Sequence, residues 1–234
     1  MKNAIITAAT KGMGRAIAIA FAKEGVNLAI CSRSGDDLSA FKSELASINP
    51  NIKVFTSVTD CSIKQQVLDF AEGAEKELGA ISIIVNNVGI YTWSSILDDE
   101  EDTFQKNVSI NLGTAYELYR YFGKKMIVAK SGHIFSICSV ASINPIAEAG
   151  SYSITKYALL GLSKLMRTEL QPHGVKVTAI IPGSTLTNSW AGMTVDKDKM
   201  VLPEDIASAI INTYKMSAGA NVEEILIKPT FGQV

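Results

Sequence analysis

Residues 3 to 15 read Asn3-Ala4-Ile5-Ile6-Thr7-Ala8-Ala9-Thr10-Lys11-Gly12-Met13-Gly14-Arg15. An apolar run, a turn of small residues and the start of an amphipathic helix follow one another without a gap. The apolar run is too short for a secretory leader and passes straight into a strand pattern. A strand that enters a helix through so short a turn is half of a β-α-β unit, so the rest of the chain is read for its continuation.

The alternation continues throughout. Short Ile- and Val-rich runs at 4–8, 27–31, 53–57, 81–86, 132–138, 176–181 and 224–228 mostly lack polar alternation, as strands apolar on both faces do. Between them, 14–23, 36–48, 63–78, 101–129, 152–170 and 204–214 carry apolar residues at three- and four-residue spacing, the mark of helices with one buried face. Six β-α repeats closing on a strand predict an α/β protein: a single-domain Rossmann fold over 1–234, its seven-stranded parallel sheet doubly wound with helices on both faces. One irregular stretch, about 184–202, follows the sixth strand on the side where open α/β sheets bind ligands. It is expected to be a substrate loop or lid.

Bulk properties narrow the function. Of 234 residues, 47% are hydrophobic and the net charge is −1, so no global field invites nucleic acid or an anionic membrane. No apolar stretch approaches the roughly 20 residues that cross a bilayer. Cys31, Cys61 and Cys138 each sit in or beside an apolar run without a CxxC partner, and read as buried small hydrophobes. The two histidines, His133 and His173, are too isolated for a metal site. A cytoplasmic, reducing compartment is expected.

The first turn is a candidate ligand site. Its small residues admit close backbone approach. The helix start behind it offers unpaired N–H groups and the positive end of a dipole to a pyrophosphate. Thr7, Thr10, Lys11, Gly12, Met13 and Gly14 are therefore candidate dinucleotide-binding residues. The second strand separates NAD(H) from NADP(H). It ends Cys31-Ser32-Arg33-Ser34 with no carboxylate until Asp36, so the acidic partner of an NAD ribose is missing. Arg33, with Lys11 from the turn and Ser32 beside it, can instead meet a 2′-phosphate, which favours NADP(H) over NAD(H).

Further motifs occur in order. Asn86-Asn87-Val88-Gly89 ends the fourth strand, and Ser139 follows the fifth. Tyr152-Ser153-Ile154-Thr155-Lys156 comes next, and Pro182-Gly183 ends the sixth strand. Over essentially the whole chain this set resembles the short-chain dehydrogenase/reductase family, with a feel of its sepiapterin-reductase-like and 3-oxoacyl-reductase-like members. The resemblance implies that Tyr152 gives or takes the proton, Ser139 holds the substrate oxygen, and Lys156 holds the nicotinamide ribose. Asn111 would support a water-linked relay to the lysine. It also implies that Asp60 and Cys61 lie beside adenine and that Asn87, Val88 and Gly89 lie along the adenosine ribose. Pro182, Gly183, Thr185 and Thr187 would lie beside the carboxamide. A homodimer or homotetramer packed through the long helices at 101–129 and 152–170 is implied as well.

The chemistry makes sense independently. Positions i and i+4 share a helix face, so Tyr152 and Lys156 reach one ligand. A neighbouring ammonium is expected to lower the phenol's pKa from about 10. One departure stands out: Ala8 occupies the family's glycine position, and since alanine resists positive φ, the turn is expected to be rebuilt slightly. Three readings stay open. The first is an NADP(H)-dependent reductase of a small-molecule carbonyl (a 3-oxoacyl thioester, a diketone or a pterin side chain). The second is an NAD(H)-dependent alcohol dehydrogenase, and the third a dinucleotide-binding redox sensor without catalysis. Trp93, Trp190 and Met193 hint at an apolar or aromatic substrate.

Overall fold

The computed structural model describes residues 2–190, 192 and 194–232. Met193 lies outside the described residues. Seven strands, β1 Asn3–Ile6, β2 Asn27–Ser32, β3 Val54–Val58, β4 Ile83–Asn86, β5 Gly132–Ile137, β6 Val175–Pro182 and β7 Glu224–Ile227, form one sheet. Its order is β3-β2-β1-β4-β5-β6-β7 and every pairing is parallel. The order reverses between β1 and β4, which opens a crevice beyond their carboxyl ends, where open α/β sheets bind ligands.

Helices cover both faces. On one, α1 Gly12–Lys23, α2 Gly35–Ile48 and α7 Pro203–Tyr214 pack Ile17, Phe21, Phe41, Leu45 and Ile210 against Ile6, Ile30 and Val85. On the other, α3 Lys64–Leu78, α5 Thr114–Ala129 and α6 Gly150–Leu170 pack Phe70, Leu118, Phe122 and Met166 against Ile5, Ile84 and Ile134. Inner strands are therefore buried on both sides, as their unbroken apolar runs predict, while the edge strand β7 alternates exposed and half-buried positions. Cys31, Cys61 and Cys138 are free thiols buried in these layers.

Two expectations need correction. The first strand ends at Ile6 rather than at position 8, because Ala8 takes φ 52° and turns the chain away from the sheet. The turn is not rebuilt around the alanine; Ala8 adopts the left-handed conformation itself. That backbone costs an L-residue about 1–2 kcal/mol relative to its ordinary regions. The helix expected over 101–129 is also not one regular element. It comprises α4 Thr103–Asn107, a wider π-type turn at Val108–Gly113, and α5. Helices bulge in this way where an extra residue must be accommodated, often at a functional site.

Candidate active site

The bulge turns Asn111 inward. Its Oδ1 accepts from the Ile90 amide at 2.8 Å and its Nδ2 donates to the Ile90 carbonyl at 3.0 Å, tying the segment after β4 to the helix. Nδ2 also lies 3.2 Å from Asn107 Oδ1 and 3.1 Å from Thr155 Oγ1. Asn111 is thus a buried hub joining three segments. Asn107 and Thr155 belong to it although the motifs did not single them out. Their only sequence signals are a spacing of one helical turn before Asn111 and a place inside the Tyr-x-x-x-Lys run.

Helix α6 carries Tyr152 and Lys156 on one face, next to the end of β5. Lys156 is buried and its Nζ donates to the Ile137 carbonyl at 2.7 Å. Burial of the ammonium pulls its pKa down to about 8. Ser139 follows β5. Its Oγ accepts from the Ala141 amide at 3.1 Å, and its side chain lies beside the Tyr152 phenol.

The expected lowering of the phenol's pKa is reversed. Burial of Tyr152 pushes it up to about 12, and the neighbouring Ser139 hydroxyl offsets only part of that. The physical reason is direction: Lys156 spends a hydrogen on Ile137 and its Nζ sits 5.7 Å from the centre of the Tyr152 ring. Desolvation of the phenolate therefore outweighs the ammonium's field. The phenol stands as a protonated donor.

The first turn is locked to the end of β4. Thr7 Oγ1 accepts from the amides of Asn87 at 3.0 Å and Val88 at 2.9 Å. A Cβ at Gly14 would lie 2.4 Å from Asn87 Nδ2 and 2.5 Å from the Ala8 carbonyl, so only glycine fits there. Helix α1 begins with no side-chain cap and no acidic residue in its first turn, which leaves its N-terminal amides open to an anion. Gly12 has φ 53°, and Met13 packs against the core under the turn.

Beyond β2, Ser32 Oγ bonds the Ser34 backbone, and Arg33 is exposed without an ion pair among the described residues. Lys11 is exposed too and pairs with Asp37 at 3.0 Å. After β3, Asp60 accepts from the Ser62 hydroxyl and amide, which together hold its carboxyl below the usual range. The neighbouring Cys61 thiol lies beside that of Cys31.

The segment after β6 closes on itself. Gly183 donates to the Ile227 carbonyl at 2.7 Å, and Thr185 forms a parallel bridge with Val201. Thr187 comes within 3.3 Å of where a Gly12 Cβ would stand, so this loop reaches back over the first turn. Trp190 donates its indole N–H to the Thr185 carbonyl at 2.9 Å and packs into its own loop. The carboxyl ends of β1, β4, β5 and β6 and the start of α6 thus bring the glycine turn, Ser139, Tyr152, Lys156 and the segment after β6 around one crevice. No motif singled out Tyr91 within the pocket-forming segment 90–97, yet its ring meets that of Tyr152 with centroids 4.9 Å apart; its sequence signal is its place two residues after Gly89.

Comparison with known proteins points the same way. A family model described as short chain dehydrogenase matches residues 2–198. Glycine betaine reductase ATRR of Emericella nidulans is 29% identical over 97% of this chain, which spans only 19% of that larger protein. Sepiapterin reductase of Chlorobaculum tepidum is 29% identical, with 98% of this chain and 97% of that one covered. Among solved structures, an alcohol dehydrogenase from the archaeon Thermococcus sibiricus complexed with 5-hydroxy-NADP superposes with a TM-score of 0.92. It is 27% identical, over 100% of this chain and 99% of that one.

Proposed function

The chain belongs to the short-chain dehydrogenase/reductase family, and from that premise we propose that it is an NADP(H)-dependent reductase of a small-molecule carbonyl. The observation that carries this reading is the placing of Ser139 beside the Tyr152 phenol, which stays protonated one helical turn from a buried Lys156. A protonated phenol suits the reductive direction, because reduction needs a proton delivered to the nascent alkoxide.

The residues present fit the dinucleotide. The Gly14 cradle and the open amides of α1 suit its pyrophosphate. Arg33, exposed and unpaired among the described residues, suits the 2′-phosphate that distinguishes NADPH from NADH. When bound, the nicotinamide supplies the hydride. The protein's part is to orient and to move the proton. Ser139 holds the carbonyl oxygen, Tyr152 donates its phenolic proton to it, and Lys156 faces the nicotinamide ribose. Asn111, tied to Ile90 and Thr155, keeps the helix bulge and the lysine's surroundings fixed. The 184–202 loop closes over the substrate, a role supported by its reach to the first turn.

The substrate class spans 3-oxoacyl thioesters, diketones and pterin side chains, the last supported by the likeness to a sepiapterin reductase. A homodimer or homotetramer is supported by the exposed Tyr116 and Val128 on α5 and the exposed Tyr157 and Leu165 on α6. A cytoplasmic site is supported by three buried free thiols, and no helix among the described residues is long and apolar enough to cross a membrane. A panel of carbonyl compounds followed by loss of NADPH absorbance tests the proposal. Reduction of at least one class is the expected result; NADPH binding with no turnover across the panel would favour the redox-sensor reading instead.

A further inference from the structure

Residues 91–99 form almost no regular structure, yet they are stapled to the start of α6. Ser94 and Ala149 make an isolated parallel bridge, and the Gly150 amide donates to the Ser94 carbonyl at 3.1 Å. A Cβ at Gly150 would stand 2.4 Å from Ile96 Cγ1, so the two backbones approach as only glycine permits. The Ser151 hydroxyl donates to the Asp99 carboxylate. The strap is therefore tied to the start of the helix that bears Tyr152.

Held this way, Tyr91 meets the Tyr152 ring edge-on, with centroids 4.9 Å apart and planes inclined by 67°. Trp93 follows at 6.2 Å from Tyr91, inclined by 54°. Neither ring is covered: Tyr91 is 40% and Trp93 66% exposed. Trp190, by contrast, is anchored to its own loop through Thr185. Burial, with the Glu148 carboxylate adding to it, raises the pKa of Tyr91, so its ring stays neutral. Two partly exposed aromatic rings thus run outward in sequence from the ring of Tyr152. Aromatic rings prefer offset or edge-to-face neighbours, a preference an alkyl group cannot satisfy.

We propose that Tyr91, backed by Trp93, is the specificity-determining residue of this site and selects carbonyl compounds that carry an aromatic ring beside the reacting carbonyl. The proposal rests on the reading of Tyr152 as the proton donor. Matched diketones isolate the ring: diacetyl has two methyl flanks and acetylbenzoyl replaces one with phenyl. Calorimetry on the full chain with NADP⁺ gives the ratio of their dissociation constants, and NADPH oxidation gives the ratio of their kcat/KM values. The wild type is expected to favour acetylbenzoyl in both. Tyr91→Ala is expected to shrink that preference roughly five- to tenfold, mainly through KM, and Tyr91→Phe to retain it. Equal binding of the two diketones by the wild type overturns the proposal, as does a preference unmoved by Tyr91→Ala or lost equally in Tyr91→Phe. A binding preference without turnover of either diketone counts against the reductase reading while leaving the aromatic selection supported.

Discussion

Asn87 Nδ2 donates to the Ala8 carbonyl at 3.1 Å and to the Thr7 carbonyl at 2.9 Å, so the end of β4 clasps a turn whose second residue is a left-handed alanine. The clasp explains why Ala8 tolerates φ 52°: its carbonyl is held whatever its own preference. Replacing Ala8 with glycine removes the strain of about 1–2 kcal/mol but adds about 0.4–1 kcal/mol of unfolded-state entropy. Ala8→Gly is therefore expected to stabilise the protein by roughly 0.5–1 kcal/mol, raising Tm by about 2 °C. An unchanged or lowered Tm in scanning calorimetry would count against a strained turn.

Gly14 leads to the opposite expectation. A methyl group there would press on Asn87 Nδ2 and the Ala8 carbonyl, and one of the two must yield. Gly14→Ala is expected to cost about 2–3 kcal/mol, the upper range for overpacking, and to weaken NADPH binding at least about tenfold. Titration of NADPH fluorescence together with thermal melting checks both; a variant unaffected in binding would mean that the dinucleotide lies elsewhere.

If the proposed cofactor site is right, Arg33, exposed beyond β2, sets the preference for NADPH. Loss of a charge-assisted bond to a phosphate costs about 1.5–3 kcal/mol. Arg33→Ala is accordingly expected to raise KM for NADPH roughly ten- to a hundredfold while leaving KM for NADH within about twofold. Equal effects on both cofactors would remove Arg33 from the 2′-phosphate.

His133 sets an acid limit on stability. Burial, with Lys176 adding to it, pulls its pKa from 6.5 down to about 3. As pH falls through 6.5 the unfolded chain takes up a proton there that the folded chain refuses until about 3. The neutral imidazole's contribution is whole above that window and is lost as pH falls across it, at up to about 1.4 kcal/mol per pH unit. Thr178 gives its hydroxyl proton to the Val222 carbonyl at 2.6 Å, so it must accept from His133 Nε2 at 2.9 Å, which fixes the tautomer. Urea melts between pH 6.5 and 5 are expected to show a shallower pH slope for His133→Phe than for the wild type. Parallel slopes would show that His133 is not the titrating group.

The elements that a single segment can specify were legible in the sequence. The unbroken apolar runs within β1, β2 and β4 pointed to the parallel sheet, because strands buried on both faces have no polar side to alternate with. Tyr152 and Lys156 stood out because one helical turn separates them. What escaped depends on contacts between distant segments. The bulge at Val108–Gly113 exists alongside the bonds from Asn111 to Ile90 and Thr155, which no periodicity within 101–129 encodes. The raised pKa of Tyr152 follows from burial of its phenol by the packed fold, with Lys156 Nζ turned to Ile137, and neither is a spacing within one segment. Tyr91 found its partner only through the strap that docks it on α6.

Tyr152→Phe removes one oxygen atom and leaves the cradle, Lys156 and the ring packing against Tyr91 in place. NADPH affinity, read by fluorescence titration, is expected to stay within about twofold, while kcat for carbonyl reduction falls by at least about a hundredfold, the lower range for loss of a positioned general acid. A Tyr152→Phe enzyme that binds NADPH normally and reduces its substrate within tenfold of the wild-type rate would show that the proton comes from another group.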